Sequence, residues 1–137
     1  MDAAFRFSDD PTDVDRSLVH HWLSEQSYWA AGRSREALDR AVDGSLNFGV
    51  YERESGRQVA YARVVTDRAT FAWLCDVFVD PDLRGQGIGH GLLDGVLAVL
   101  DPMGLRRVLL ATRDAHGLYA AHGFTPLPEP DRFMVRS

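Results

Sequence analysis

Apolar positions change period along this chain, and the changes mark its elements. Phe5 and Phe7 alternate with polar neighbours, which predicts a short strand ended by the Asp9-Asp10-Pro11-Thr12-Asp13 cluster. Val14, Leu18, Val19, Trp22 and Leu23 then recur at helical spacing, so a helix is expected to about Gln26 with Asp13 as its cap. Ser27 to Arg33 holds Tyr28 and Trp29 side by side without periodicity and reads as a loop. A second helix follows from about Arg35 to Asp43, with Gly44 closing it.

From Leu46 the period becomes two. Leu46, Phe48 and Val50 predict one strand, Val59, Tyr61, Arg63 and Val65 the next, and Thr70 to Val79 a third. Tight turns join them, so an antiparallel meander is expected. A glycine-rich run, Arg84 to Gly91, leads into a helix carrying Ile88, Leu92, Leu93, Val96, Leu97 and Leu100, ended by Pro102 and Gly104. Val108 to Ala111 suits a central buried strand. Asp114 is placed to cap a short helix from Ala115 to about His122, and Phe124 to Leu127 and Phe133 to Val135 read as closing strands. The expected order is βααβββαβαββ, an α/β (α+β) chain with a mixed sheet flanked by about four helices.

At 137 residues with 45% apolar content, the chain is long enough for one core, and a single domain over residues 1–137 is expected. The formal charge is −5, and all 15 basic residues are arginine. Nucleic-acid and anionic-membrane binders need a cationic face to displace phosphate counterions, so neither partner is expected. One cysteine, Cys75, leaves no intrachain disulfide. No window is long and apolar enough for a membrane span and no leader pattern opens the chain, so a cytoplasmic location is expected. The five histidines lack metal-ligand spacing, so no metal is expected.

Chemistry concentrates where the third meander strand runs through a loop into a helix. Gly85, Gly87 and Gly89 let backbone approach a bulky anion, and free N–H groups at the helix start, with the macrodipole behind them, suit a diphosphate. A Walker loop is excluded because no lysine exists to complete it. A dinucleotide fingerprint fails because position 90 is His and position 92 is Leu.

The spacing that does occur is Arg84-x-x-Gly87-x-Gly89 after Val79-Asp80-Pro81, with Leu118-Tyr119-x-x-x-Gly123-Phe124 downstream. These segments resemble the acetyl-CoA loop and the Leu-Tyr-x-x-x-Gly-Phe motif of the GNAT N-acetyltransferase superfamily, and the element order resembles that fold along nearly the whole chain. The resemblance implies an acetyl-CoA-dependent N-acetyltransferase with a mostly antiparallel GNAT-like sheet. It implies that the strand backbone at Val77, Phe78 and Val79 pairs with the pantetheine arm. Arg84, Gly85, Gln86, Gly87, Ile88 and Gly89 would hold the pyrophosphate. The family often has Asn seven residues before the motif tyrosine; Thr112 stands there and is the expected substitute contact.

Amine acetylation needs a neutral amine and stabilisation of the departing thiolate. The resemblance gives the second task to Tyr119. Asp76 is the one charge between Thr70 and Val79, which makes it the candidate base, or else the partner of Arg63. Relatives draw acceptor specificity from the first helices and their loop, so Glu25, Tyr28 and Trp29 are the candidate acceptor residues. The expected acceptor is a primary amine of a small molecule. A peptide or protein acetylase and a non-catalytic CoA-binding module are the alternatives, and homodimers are common among relatives.

Overall fold

A computed structural model describes all residues, 1–137. Five strands run β1 (Phe5–Ser8), β2 (Leu46–Glu52), β3 (Gln58–Thr66), β4 (Phe71–Val79) and β5 (Arg107–Leu109), and lie in that order across one sheet. The helices are α1 (Arg16–Gln26), α2 (Arg35–Asp43), α3 (Ile88–Leu100) and α4 (His116–Ala120). β1 to β4 are antiparallel neighbours, and β5 joins β4 in parallel through the α3 crossover. The meander and the helix between parallel strands follow the predicted periods.

Alternation along the strands makes two apolar layers. Phe48, Val50, Ala60, Ala62 and Val64 pack with Ile88, Leu92, Leu93 and Val96 of α3. Tyr61 and Phe78 point to the other side and pack with Val19, Trp22, Leu23, Leu38 and Val42 of α1 and α2. The Trp22 and Phe78 rings stack with centroids 5.3 Å apart. Gly95 lets α3 approach the sheet: a Cβ there would collide with the Phe7 ring.

Several expectations need correction. The cap of α1 is Asp15, whose carboxylate accepts the Leu18 N–H at 3.1 Å, because a 3-10 turn over Pro11–Asp13 delays the helix. Asp13 instead accepts the Ser8 hydroxyl at 2.7 Å. Gly44 does close α2 as expected, though at φ −95 and so without a left-handed turn. Asp114 does not cap α4; the Ala115 N–H donates to Thr112 Oγ1 at 3.1 Å. Residues 108–111 are not a central strand, since β5 is a three-residue edge whose inner face alone packs on the α3 layer. The two closing strands do not form, and the order is βααβββαβα. Pro126, Pro128 and Pro130 supply no N–H on alternate residues, so one whole edge of a ladder has no donors there.

Candidate functional site

β5 accompanies β4 only from Phe71 to Trp73, and beyond Trp73 the two separate. The parting opens a cleft of about 1070 Å³ between the second half of β4, the loop into α3, and the β5–α4 segment. A cleft of this size is in the range that holds a large organic ligand.

Its floor is shaped by a break in pairing between β3 and β4. Arg63 opposes Cys75 and Tyr61 opposes Phe78, so Asp76 and Val77 together face the single residue Ala62. Asp76 carries the bulge at φ +53. Leu74 faces the α3 layer before the bulge and Val77 and Val79 face it after, while Asp76 and Phe78 turn toward α1 and α2. The bulge therefore resets the alternation at the cleft.

The loop that follows offers donors. Asp80 accepts the Asp82 N–H at 2.9 Å and pairs with Arg57 at 2.7 Å, which anchors the turn. Gly85 and Gly87 lie at φ +84 and +80, conformations that L side chains rarely adopt. From Arg84 through His90 no backbone N–H finds an acceptor within the chain, so the loop and the first turn of α3 present their amides together. Gly85, Gly87, Ile88 and Gly89 line the cleft, but Gln86 does not. The Arg84 side chain folds back, Nε donating to the Val79 carbonyl at 3.1 Å and the guanidinium lying over Phe78. Thr112 lines the opposite wall, its oxygen accepting from Ala115.

Tyr119 stands on α4, 9% exposed, its ring edge-to-face with Phe124. Its hydroxyl has no hydrogen-bond partner in the chain and is not sealed from solvent, so it is available to a ligand in the cleft. Burial, with the nearby Tyr28 and Asp114, pushes its pKa up to about 12. The phenol is thus a donor throughout the neutral range. His90 and His122, 2.8 Å apart through Nδ1 and Nε2, tie the first turn of α3 to the end of α4.

Asp76 is 3% exposed and fully engaged. Oδ2 accepts from Arg33 at 2.6 Å and from Arg63 at 2.9 Å, and Oδ1 accepts from the Trp29 indole at 3.0 Å. Burial alone would raise its pKa, but the hydrogen bonds and charges of Arg33 and Arg63 outweigh it and hold the carboxyl below its ordinary value. This is the environment of a held anion and not of a proton acceptor poised near neutrality. Of the candidate acceptor residues, Tyr28 and Trp29 line the cleft. The Tyr28 hydroxyl accepts the Arg113 N–H at 2.9 Å and the Arg113 guanidinium covers its ring at 3.8 Å, so the α1–α2 loop bridges to the β5–α4 segment. Glu25 lies outside the cleft on the exposed side of α1, paired with His21 at 2.6 Å.

Arg113 and Cys75 also line the cleft and were not foreseen, because each is marked only by its position after folding. Burial pushes the Cys75 thiol up to about 11, which keeps it protonated near neutrality.

The profile of the Acetyltransferase (GNAT) family matches residues 16–124. A Gibberella zeae protein named as an acetyltransferase is 31% identical over 82% of this chain. The chain spans 73% of that relative's length, and 64% and 54% of two further curated relatives it matches. A GNAT-family protein from Xanthomonas campestris pv. campestris superposes with TM-score 0.91 at 48% identity, over 97% of this chain and 92% of that one. A Mycobacterium tuberculosis protein crystallised with CoA has TM-score 0.74 at 21% identity, covering 90% of this chain and 73% of that one.

Proposed function

The chain belongs to the GNAT acetyltransferase family, and from that premise we propose that residues 1–137 form one N-acetyltransferase domain that moves an acetyl group from acetyl-CoA to a primary amine of a small molecule. The observation that carries this reading is the β4–β5 cleft, in which Gly85, Gly87, Ile88 and Gly89, with unpaired backbone amides, and Tyr119, with an unpartnered hydroxyl, line one continuous space.

Acetyl-CoA supplies an activated thioester. The amides of Gly85, Gly87, Ile88 and Gly89 hold its pyrophosphate, drawing on the dipole of α3. The backbone of Val77, Phe78 and Val79, freed from a neighbour by the departure of β5, receives the pantetheine arm. Thr112 retains a hydroxyl proton for the same arm, because its bond to Ala115 uses only the oxygen as acceptor. The amine nitrogen attacks the thioester carbon, a C–N bond forms and the C–S bond breaks, while Tyr119 donates a hydrogen bond to the sulfur as charge develops on it; the nitrogen gives up its second proton to water, and the thiolate takes a proton from water to leave as free CoA. The ammonium loses its proton to water before attack. Asp76 acts as a positioning residue, since its carboxylate orients Trp29, Arg33 and Arg63 at the acceptor end.

The test is thiol release from acetyl-CoA with amines, amino acids and peptides as acceptors, alongside direct measurement of acetyl-CoA binding. Release with small amines is the expected result. Release with peptides alone would assign a peptide or protein acetylase, and binding without release to any acceptor would assign a non-catalytic CoA-binding module.

A further inference from the structure

The acceptor end of the cleft has more positive charge than its own carboxylates neutralise. Arg33 and Arg63 both donate to the same oxygen of Asp76, so two guanidinium groups share one carboxylate. Their side chains are 22% and 14% exposed, and both line the cleft. Each has capacity left. Arg33 uses only one terminal nitrogen, and Arg63 uses Nε on Asp76 and one terminal nitrogen on Ser45 at 3.0 Å, leaving its other terminal nitrogen without a partner.

Arg113 adds a third guanidinium, stacked on Tyr28 and in no ion pair, while Asp114 is the one other carboxylate lining the cleft. In a chain of formal charge −5, these three guanidinium groups, with Arg84 the fourth arginine lining the same cleft, face two carboxylates, a local reversal of sign. Asp76, itself held by the Trp29 indole, fixes the orientation of the two half-buried forks, and the His20 ring, bonded to the Arg33 carbonyl at 2.8 Å, fixes the backbone that carries one of them. An oriented guanidinium with spare donors and surplus charge is matched to an oxyanion.

We infer that the acceptor amine carries an oxyanionic group, a carboxylate or a phosphate monoester, which the spare donors of Arg33 and Arg63 seat so that the amine is directed at the thioester. The inference rests on the acetyltransferase reading above and specifies its substrate class.

The experiment compares matched acceptors in the thiol-release assay with the wild-type chain: an α-amino acid against its decarboxylated amine, and an aminoalkyl phosphate against the corresponding amino alcohol. The oxyanionic member of at least one pair is expected to have the higher kcat/KM by about tenfold to a hundredfold, the effect of one charge-assisted contact. Which pair responds tells carboxylate from phosphate. Arg33→Gln is expected to collapse that ratio, mainly through KM of the oxyanionic member, and Arg33→Lys to restore part of it. Equal rates within both pairs, or preference for the neutral members, would overturn the inference while leaving acetyl transfer intact. A ratio unchanged in folded Arg33→Gln would also overturn it. Release with no acceptor at all would overturn the transferase reading and this inference with it. The wild-type comparison decides the matter by itself should Arg33→Gln fail to fold.

Discussion

Replacing Tyr119 by phenylalanine removes one oxygen and leaves the ring against Phe124. The size of the expected defect follows from the acidity of the phenol. Its pKa of about 12 lies about 3.5 units above an ordinary thiol, so complete proton transfer to the departing thiolate would be uphill by about 5 kcal/mol. Tyr119 therefore acts through a hydrogen bond to developing charge. Such a bond to a charged partner contributes about 1.5–3 kcal/mol, which converts to a decrease in kcat of roughly tenfold to 150-fold.

Affinity for acetyl-CoA should change little, and thermal stability should also be nearly constant because the hydroxyl has no partner in the chain. Steady-state thiol release, CoA calorimetry and a melting curve read these three quantities. A change in kcat smaller than about threefold would refute the role, while a loss well beyond a thousandfold would refute the hydrogen-bond argument and restore full proton donation. A further consequence is that Tyr119 stays protonated until pH nears 12, so any alkaline fall in rate below that pH must come from another group.

Asp76→Asn keeps the volume and an oxygen for the Trp29 indole but leaves Arg33 and Arg63 without their anion; a loss of about 3 kcal/mol is expected, read as a fall in Tm of roughly 10 °C. Because the folded-state pKa of Asp76 is depressed, its contribution to stability is present above its unfolded value of about 3.9 and is lost as pH falls through the lower folded value, so the wild type should lose stability more steeply than the variant in that acidic window. No acidic limb of kcat near neutrality should be assignable to Asp76; a limb near pH 6 that disappears in Asp76→Asn would restore it as the base. Gly87→Ala meets no neighbouring atom, so its cost of about 1–2 kcal/mol is expected to come from the backbone at φ +80 alone. CoA binding should weaken about tenfold as the loop amides turn away, and Gly87→Asn should recover part of both effects; equal CoA affinity in Gly87→Ala would show that these amides do not hold the pyrophosphate.

What the sequence by itself determined is local. Periods of two and 3.6 depend on near neighbours, which is why the meander and the first three helices were legible within a few residues. The glycine loop was legible for the same reason, since a left-handed backbone at 85 and 87 is a demand on single residues. The prolines at 126, 128 and 130 are equally local, and their missing donors argue against the first closing strand, Phe124 to Leu127, though not against Phe133 to Val135.

Tertiary structure alone decided the rest. Glu25 belongs with the aromatics of its loop in sequence, yet the burial of Val19, Trp22 and Leu23 turns it outward to His21. Asp76 is a lone carboxylate in an apolar strand until Arg33, 43 residues earlier, and Arg63, 13 residues earlier, reach it across the bulge. A pKa depends on which charges end up within a few ångströms, and a cleft depends on where two strands part. Both are set by long-range packing, which no local spacing encodes.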